Sequence, residues 1–331
     1  MAWTDRLKNY PLEWLLEPSD HSVRYWALKQ LMDKPQSDPE VQSAQEALMG
    51  SQHIKAVLAG QNPEGHWGDP GDMYNPKYRA STHSLLVLAE LGAKRTPAIE
   101  RGIEHIFEFQ RDSGHFLMNK PKTARGYASK VTDGCCLDAN ILHYLNHFGY
   151  LDDPRTGKLM SFLLEDHSPE EAGWKCRAYP INPSKVFAPN CYMGAAKVLR
   201  TLAAIPSGCR SAEMNAVINR EVESVLENEV YRYLRNIDGS RKDKAGWKRF
   251  GFPLFYQSDI LEVLDAPTRL GVKDARMEPA IELILDAQQD DGSWLLKHTF
   301  NGKMWKDIEV KHKPSKWITL RALRVLKRYF N

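Results

Sequence analysis

Apolar residues recur along this chain in two rhythms. In the first they share one helical face: Ile99, Ile103, Ile106 and Phe107 lie together, while Glu100, Glu104 and Glu108 fall elsewhere. That spacing predicts a helix with one buried side. Leu159, Phe162 and Leu163 repeat it, and so do Ile281, Ile284 and Leu285. Pro154 and Pro279 stand near the starts, where a missing N–H is harmless. In the second rhythm the stretch is apolar nearly all round. It covers His21 to Leu31, His83 to Gly92, Asp133 to Gly149, Asn190 to Leu199, Tyr256 to Leu264 and Trp317 to Leu326. A helix apolar on every side is covered on every side. Six inner helices wrapped by five or six outer ones satisfy both rhythms, and no strand alternation of useful length interrupts them. The expected fold is all-α: one α/α toroid over residues 1–331, with the N-terminal segment closing against the C-terminal helix.

A Gly-aromatic signature punctuates this alternation. Gln61-Asn-Pro-Glu-Gly65-His-Trp67 is followed by Gln110-Arg-Asp-Ser-Gly114-His-Phe116 and later by Gln289-Asp-Asp-Gly292-Ser-Trp294. Gly173-Trp174 and Gly246-Trp247 are degenerate copies. Such recurrence marks a repeat of helical pairs. In it the glycine ends the outer helix in a left-handed turn, the Gln satisfies loose backbone groups, and the aromatic packs on the next helix. The signature is structural and carries no catalysis.

Composition narrows the class. The chain has 331 residues, 42% hydrophobic and 26% charged, as in a globular protein with a sizeable core. A formal net charge of +3, without a basic helix interleaved with aromatics, argues against nucleic acid as partner. Five cysteines, two of them vicinal, make a poor disulfide framework and point to a reduced, cytoplasmic setting. No run is apolar enough to span a membrane, while contact with a membrane surface stays open. Oligomeric state is not legible.

Chemistry concentrates at the inner-helix starts. Asp133, Cys135, Cys136 and Asp138 crowd the first turns of one inner helix, where the dipole favours anions. Capping accounts for Asp133, but an acid at Asp138 inside an apolar helix asks for a partner or a cavity. Asp20 and Asp259 stand at other inner-helix starts. A basic collar recurs in the loops feeding these helices: Lys77 and Arg79, Arg125 and Lys130, Lys175, Arg177 and Lys185, Lys248 and Arg249, Lys313 and Lys316. Cations beside helix N-termini suit an anion such as diphosphate. Aromatics join them, among them Tyr256 and Trp317, and His83 is the acid–base candidate.

The Gln-x(3)-Gly-x-Trp repeats resemble the QW motifs of squalene–hopene and oxidosqualene cyclases, whose α/α toroid is shared with protein prenyltransferase β subunits. The resemblance runs from about residue 20 to the end. It implies a hydrophobic, isoprenoid ligand in a central cavity. Two departures stand beside it. No Asp-x-Asp-Asp acid motif occurs, and no Asp-Asp-x-x-Asp of the ionising synthases; Asp290-Asp291 belongs to a Gly-aromatic turn. Val131-Thr-Asp133-Gly-Cys135 looks like the Val-Asp-Gly-Cys segment that ligates zinc in the farnesyltransferase β subunit. The family's third ligand, a His, falls on Pro189, with Cys191 close by. Asp133, Cys135 and Cys191 are thus the zinc set that the resemblance implies.

These readings converge on a toroid binding a small hydrophobic, possible isoprenoid diphosphate, ligand, with transferase or cyclase activity open. Asp133, Asp138, His83 and Asp259 are the catalytic candidates. Arg79, Lys130, Lys185, Lys248, Arg249, Tyr256 and Trp317 are the binding candidates. Two alternatives stay open: a sugar-processing hydrolase or lyase using paired carboxylates, and a non-catalytic lipid carrier or scaffold.

Overall fold

The protein is described by a computed structural model covering residues 2–123, 133–174, 191–234 and 241–331. Its class is all-α. The helices are α1 Leu12–Leu15, α2 His21–Gln30, α3 Pro39–Met49, α4 Gln52–Ala59, α5 Ser81–Glu90, α6 Pro97–Phe107 and α7 Cys135–His147. Then come α8 Pro154–Glu165, α9 Tyr192–Ala204, α10 Ala212–Glu227, α11 Ile260–Arg269, α12 Glu278–Asp286 and α13 Lys316–Phe330. Two minor antiparallel pairs, Arg232–Leu234 with Arg241–Asp243 and Trp294–Leu295 with Pro314–Ser315, sit in connections.

The near-wholly apolar helices are α2, α5, α7, α9, α11 and α13. They pack in succession, α5 on α7, α7 on α9, α9 on α11, α11 on α13 and α13 on α2. The Trp26 indole of α2 then donates to the Glu90 carbonyl of α5 at 2.9 Å. The one-sided helices lie outside them: α4 and α6 against α5, α8 against α7 and α10 against α9. One boundary moves. The stretch read as starting at Tyr256 becomes helical only at Ile260, because Asp259 caps it by accepting the Glu262 N–H at 2.9 Å.

The Gly-aromatic turns join the two layers with one bonding pattern. Trp67, Trp174 and Trp294 are fully buried. Each indole donates at 2.7 Å to a carbonyl near the end of the outer helix before it: Val57, Leu163 and Ile284. Carbonyls in a helix's last turn lack the regular N–H partner four residues on. Gln61 Nε2 spans its turn, donating to Gly65 and to Ala98 at the start of α6. Gln110 does the same with Gly114 and with Arg155 of α8. In the third copy the bonding residue is Gln288, not Gln289. It donates to Gly292 and to Asn9. The last repeat is therefore stapled to the N-terminal segment, and Lys316–Glu17 adds an ion pair across that seam. The glycines sit in the turn beyond the helix end rather than at it, Gly65 and Gly114 both with φ of 101°. A Cβ on Gly114 would come within 2.2 Å of the Lys158 carbonyl. No helix among the described residues is long and apolar enough to cross a membrane.

Candidate functional site

His83, in the first turn of α5, is buried, and neither ring nitrogen has a hydrogen-bond partner. Four aromatic rings surround it. The centroids of Tyr74, Phe255, Tyr78 and Tyr256 lie 4.8, 5.3, 5.7 and 5.8 Å away. Phe300 backs Tyr78 at 4.4 Å. Asn140 of α7 fixes the wall by donating to the Phe255 carbonyl at 2.9 Å. The Lys77 ammonium stands 5.4 to 5.9 Å from the rings of Tyr78, Tyr74 and Tyr256, within reach of cation–π attraction. Burial first, and the Lys77 charge second, pull the His83 pKa down to about 3, so the imidazole is neutral at physiological pH. Burial also holds the Tyr256 hydroxyl well above its ordinary value.

The acids are arranged differently. Asp133 does not cap α7; Gly134 occupies the N-cap, and Asp133 Oδ2 accepts the Met118 N–H at 2.7 Å. Asp138 is fully buried, and its Oδ1 accepts the Phe116 N–H at 2.9 Å. Burial pushes its carboxyl well above the usual range, with Asp133 adding to the shift. Asp259 accepts the Gly251 N–H and meets Arg321 through both oxygens, at 2.8 and 3.1 Å. Asp20 caps α2 through the Val23 N–H.

The zinc set that the resemblance implies is not assembled among the described residues. Cys191 caps α9, its sulfur accepting the Gly194 N–H at 3.3 Å, and Cys135 packs into the space left by Gly194, where a Cβ would lie 2.4 Å from its sulfur. Among the described residues no group of three His, Cys, Asp or Glu side chains could hold a metal ion. A helix-capping thiol, a packed thiol and an acid turned to the backbone do not form a tetrahedral donor set.

The collar residues are engaged locally. Arg79 donates to the Met304 carbonyl and lies over Trp305. Lys248 pairs with Asp243 at 2.5 Å. Arg249 acts on His298, whose pKa burial lowers first and Arg249 lowers further. Trp317 stacks on Phe252 at 4.1 Å and is buried. Lys130 and Lys185, with Arg125, Lys175 and Arg177, lie outside the described residues.

No family model matches the chain, and no curated protein matches it. Solved structures do. The type II terpene cyclase MstE from Scytonema is 15% identical, with 93% of this chain and 87% of that chain covered and a TM-score of 0.46. A protein from Actinoplanes is 14% identical, covering 94% and 90%, with a TM-score of 0.47. A family 10 polysaccharide lyase from Cellvibrio cellulosa is 14% identical, covering 66% and 75%, with a TM-score of 0.36. Likenesses at this level leave the chemistry of the chain to its own residues.

Those residues include a second cluster with no counterpart in the sequence expectations. Arg200 of α9 bonds Glu90 of α5, His143 of α7 and Glu262 in the first turn of α11, and Lys197 meets Glu262 at 2.7 Å. Burial alone would raise Glu90; the Arg200 guanidinium overcomes it and holds the carboxyl well below its ordinary value. The interior expected to be apolar is thus aromatic around His83 and ionic around Arg200. The signal was present: Lys197 interrupts Ala195-Ala196-Lys197-Val198-Leu199. Tyr74 and Tyr78 were missed because they stand in a loop, where no periodicity singles them out.

Proposed function

We propose that this chain is an α/α toroid of the terpenoid cyclase and prenyltransferase kind. It binds a small hydrophobic ligand, isoprenoid in character, at the aromatic cluster around His83. The observation that carries this reading is the unpartnered imidazole. A buried polar group without a hydrogen bond destabilises the fold by about 1–3 kcal/mol. A ligand with an apolar body and one polar atom supplies the missing bond, and the rings of Tyr74, Tyr78, Phe255 and Tyr256 cover the rest. Succession of the inner helices back to α2 supports the toroid, and so do the repeated Gln and Trp bonds.

Binding is favoured over protonation-initiated cyclisation. Asp133 and Asp259 are committed to backbone N–H groups, and Asp259 also to Arg321, while Asp138 holds the Phe116 N–H through Oδ1 and has only its Oδ2 without a partner among the described residues. The same commitments weigh against a hydrolase or lyase that needs two free carboxylates. Native mass spectrometry of the purified protein, followed by titration with farnesol and geranylgeraniol, tests the reading. A co-purified or saturably bound isoprenoid is expected, lost in His83→Phe and Tyr256→Ala. Protein of unchanged stability that binds neither alcohol overturns it.

A further inference from the structure

A pocket of 310 Å³ opens where the C-terminal ends of α2, α11 and α13 meet, away from the His83 cluster. Its volume falls at the lower end of small-molecule sites, about 300–1,000 Å³. Lys29, Arg269, Lys327 and Arg328 line it together with Trp26, and Asp33 is its carboxylate. Behind it, Asp265 is shared by three guanidiniums: Arg324 and Arg328 at 2.9 Å and Arg269 at 3.3 Å. Lys327 pairs with Asp33. Lys29 has only neutral partners, the Gln36 side-chain oxygen at 2.7 Å and the Tyr25 hydroxyl at 3.3 Å. Five cations thus face two carboxylates. Helix C-termini carry about half a negative charge each, so the ends of α2, α11 and α13 offset about one and a half of the three surplus charges. The rest stay unbalanced in a recess partly shielded from water. Burial brings the Arg324 pKa down to about 9, and Arg328 and Arg269 add to the shift, as expected where cations crowd together.

We propose that this pocket binds a small oxyanion of the phosphate class, with Lys29 and Arg269 as its principal ligands and the Trp26 indole as one wall. Among the described residues Lys29 brings an ammonium with no ionic partner, and Arg269 is an exposed guanidinium whose one ion pair is a long one to Asp265. The site is independent of the His83 reading.

The test is calorimetric titration of the full chain with sodium pyrophosphate, beside co-sedimentation with phosphatidylcholine vesicles with and without phosphatidic acid. Saturable pyrophosphate binding is expected, weakened by added salt and weakened about tenfold or more in Lys29→Gln/Arg269→Gln. His83→Phe should bind pyrophosphate as the wild type does, which separates the two sites. Binding to anionic vesicles alone, abolished in the double variant, supports the same site with a lipid headgroup as the source of the oxyanion. Failure to bind either probe overturns the proposal, and so does binding that the double variant leaves unchanged. A variant that unfolds is replaced by Lys29→Gln alone, for which the same loss is required.

Discussion

The Asp138 carboxyl accepts the Phe116 N–H at 2.9 Å, in the same place where Ser81 accepts from Trp67 and Thr319 accepts from Trp294. Three Gly-aromatic turns are thus pinned to the following inner helix by one side-chain oxygen each. Two of the three are neutral hydroxyls, and a protonated carboxyl makes the third neutral too. The raised pKa fixes the sign: stability from this group is full below the ordinary carboxyl value and is lost as pH rises through the folded value. Asp138→Asn should therefore match or exceed the wild type in thermal stability at pH 8. Asp138→Ala, which strands the Phe116 N–H, should lose about 1–3 kcal/mol. Equal losses in both variants would show that the wild-type carboxyl is ionised, and would end this reading.

The third Gln staple separates two neighbours. Gln288 Nε2 donates to Asn9 and Gly292, while Gln289 Nε2 reaches only the nearby Ala287 carbonyl. Gln288 also accepts the Lys8 N–H through Oε1 at 2.8 Å. Chemical denaturation should place Gln288→Ala about 1–3 kcal/mol below wild type and Gln289→Ala within about 0.5 kcal/mol of it. The reverse order would return the staple to the position first read from the motif.

That offset illustrates what was legible. Alternating helix kinds follow from how many faces are apolar, a property of each segment alone, so the six inner helices were readable. Which Gln bonds across the seam depends on where the N-terminal segment comes to rest, and no local pattern contains that. The site divides in the same way. His83 and Tyr256 stood out as polar or aromatic residues at inner-helix starts. Tyr74 reaches the imidazole only through the path of its loop. The acids drew attention as charges in apolar helices, yet their partners Phe116, Met118 and Arg321 are distant in sequence or on the backbone.

Gly194 yields its Cβ space to a sulfur. A methyl there would sit 2.4 Å from Cys135 Sγ, at the seam where α7 and α9 pack on each other. Gly194→Ala should destabilise by about 1–3 kcal/mol through overpacking, despite the better helix propensity of alanine. Adding Cys135→Ala should restore most of the loss. A Gly194→Ala protein as stable as wild type in a urea melt would contradict this packing.

Glu309 is mostly buried at the start of α13, where it accepts from the Ser315 hydroxyl and from the Trp317 N–H. Burial raises its pKa to about 7. The folded chain therefore holds a proton between about pH 4.5 and 7 that the unfolded chain has released. Stability from this group is complete below pH 4.5 and declines as pH rises through 7. Glu309→Gln should remove that decline, leaving the variant roughly 1–3 kcal/mol ahead of its wild-type trend at pH 8. Melting curves from pH 5 to 8 with parallel slopes for the two proteins would refute it.

His83 has the opposite sign. Its folded pKa, about 3, lies below the ordinary 6.5, so the unfolded chain takes up a proton that the folded chain refuses. Stability from the neutral imidazole is present above pH 6.5 and lost as pH falls toward 3, by about 2 kcal/mol at pH 5. His147, brought down to about 4 chiefly by burial, adds to the same acid sensitivity. His83→Phe removes both the titration and the unsatisfied nitrogens. In the absence of ligand it should melt higher than wild type, and the gap should widen between pH 7 and 5. Isoprenoid binding should fall at the same time, which sets a functional histidine apart from a structural one: a residue kept for the fold does not stabilise the protein when it is removed. A His83→Phe protein that is less stable at every pH yet binds the alcohols unchanged would make the imidazole part of the core and leave the proposed site without its polar contact.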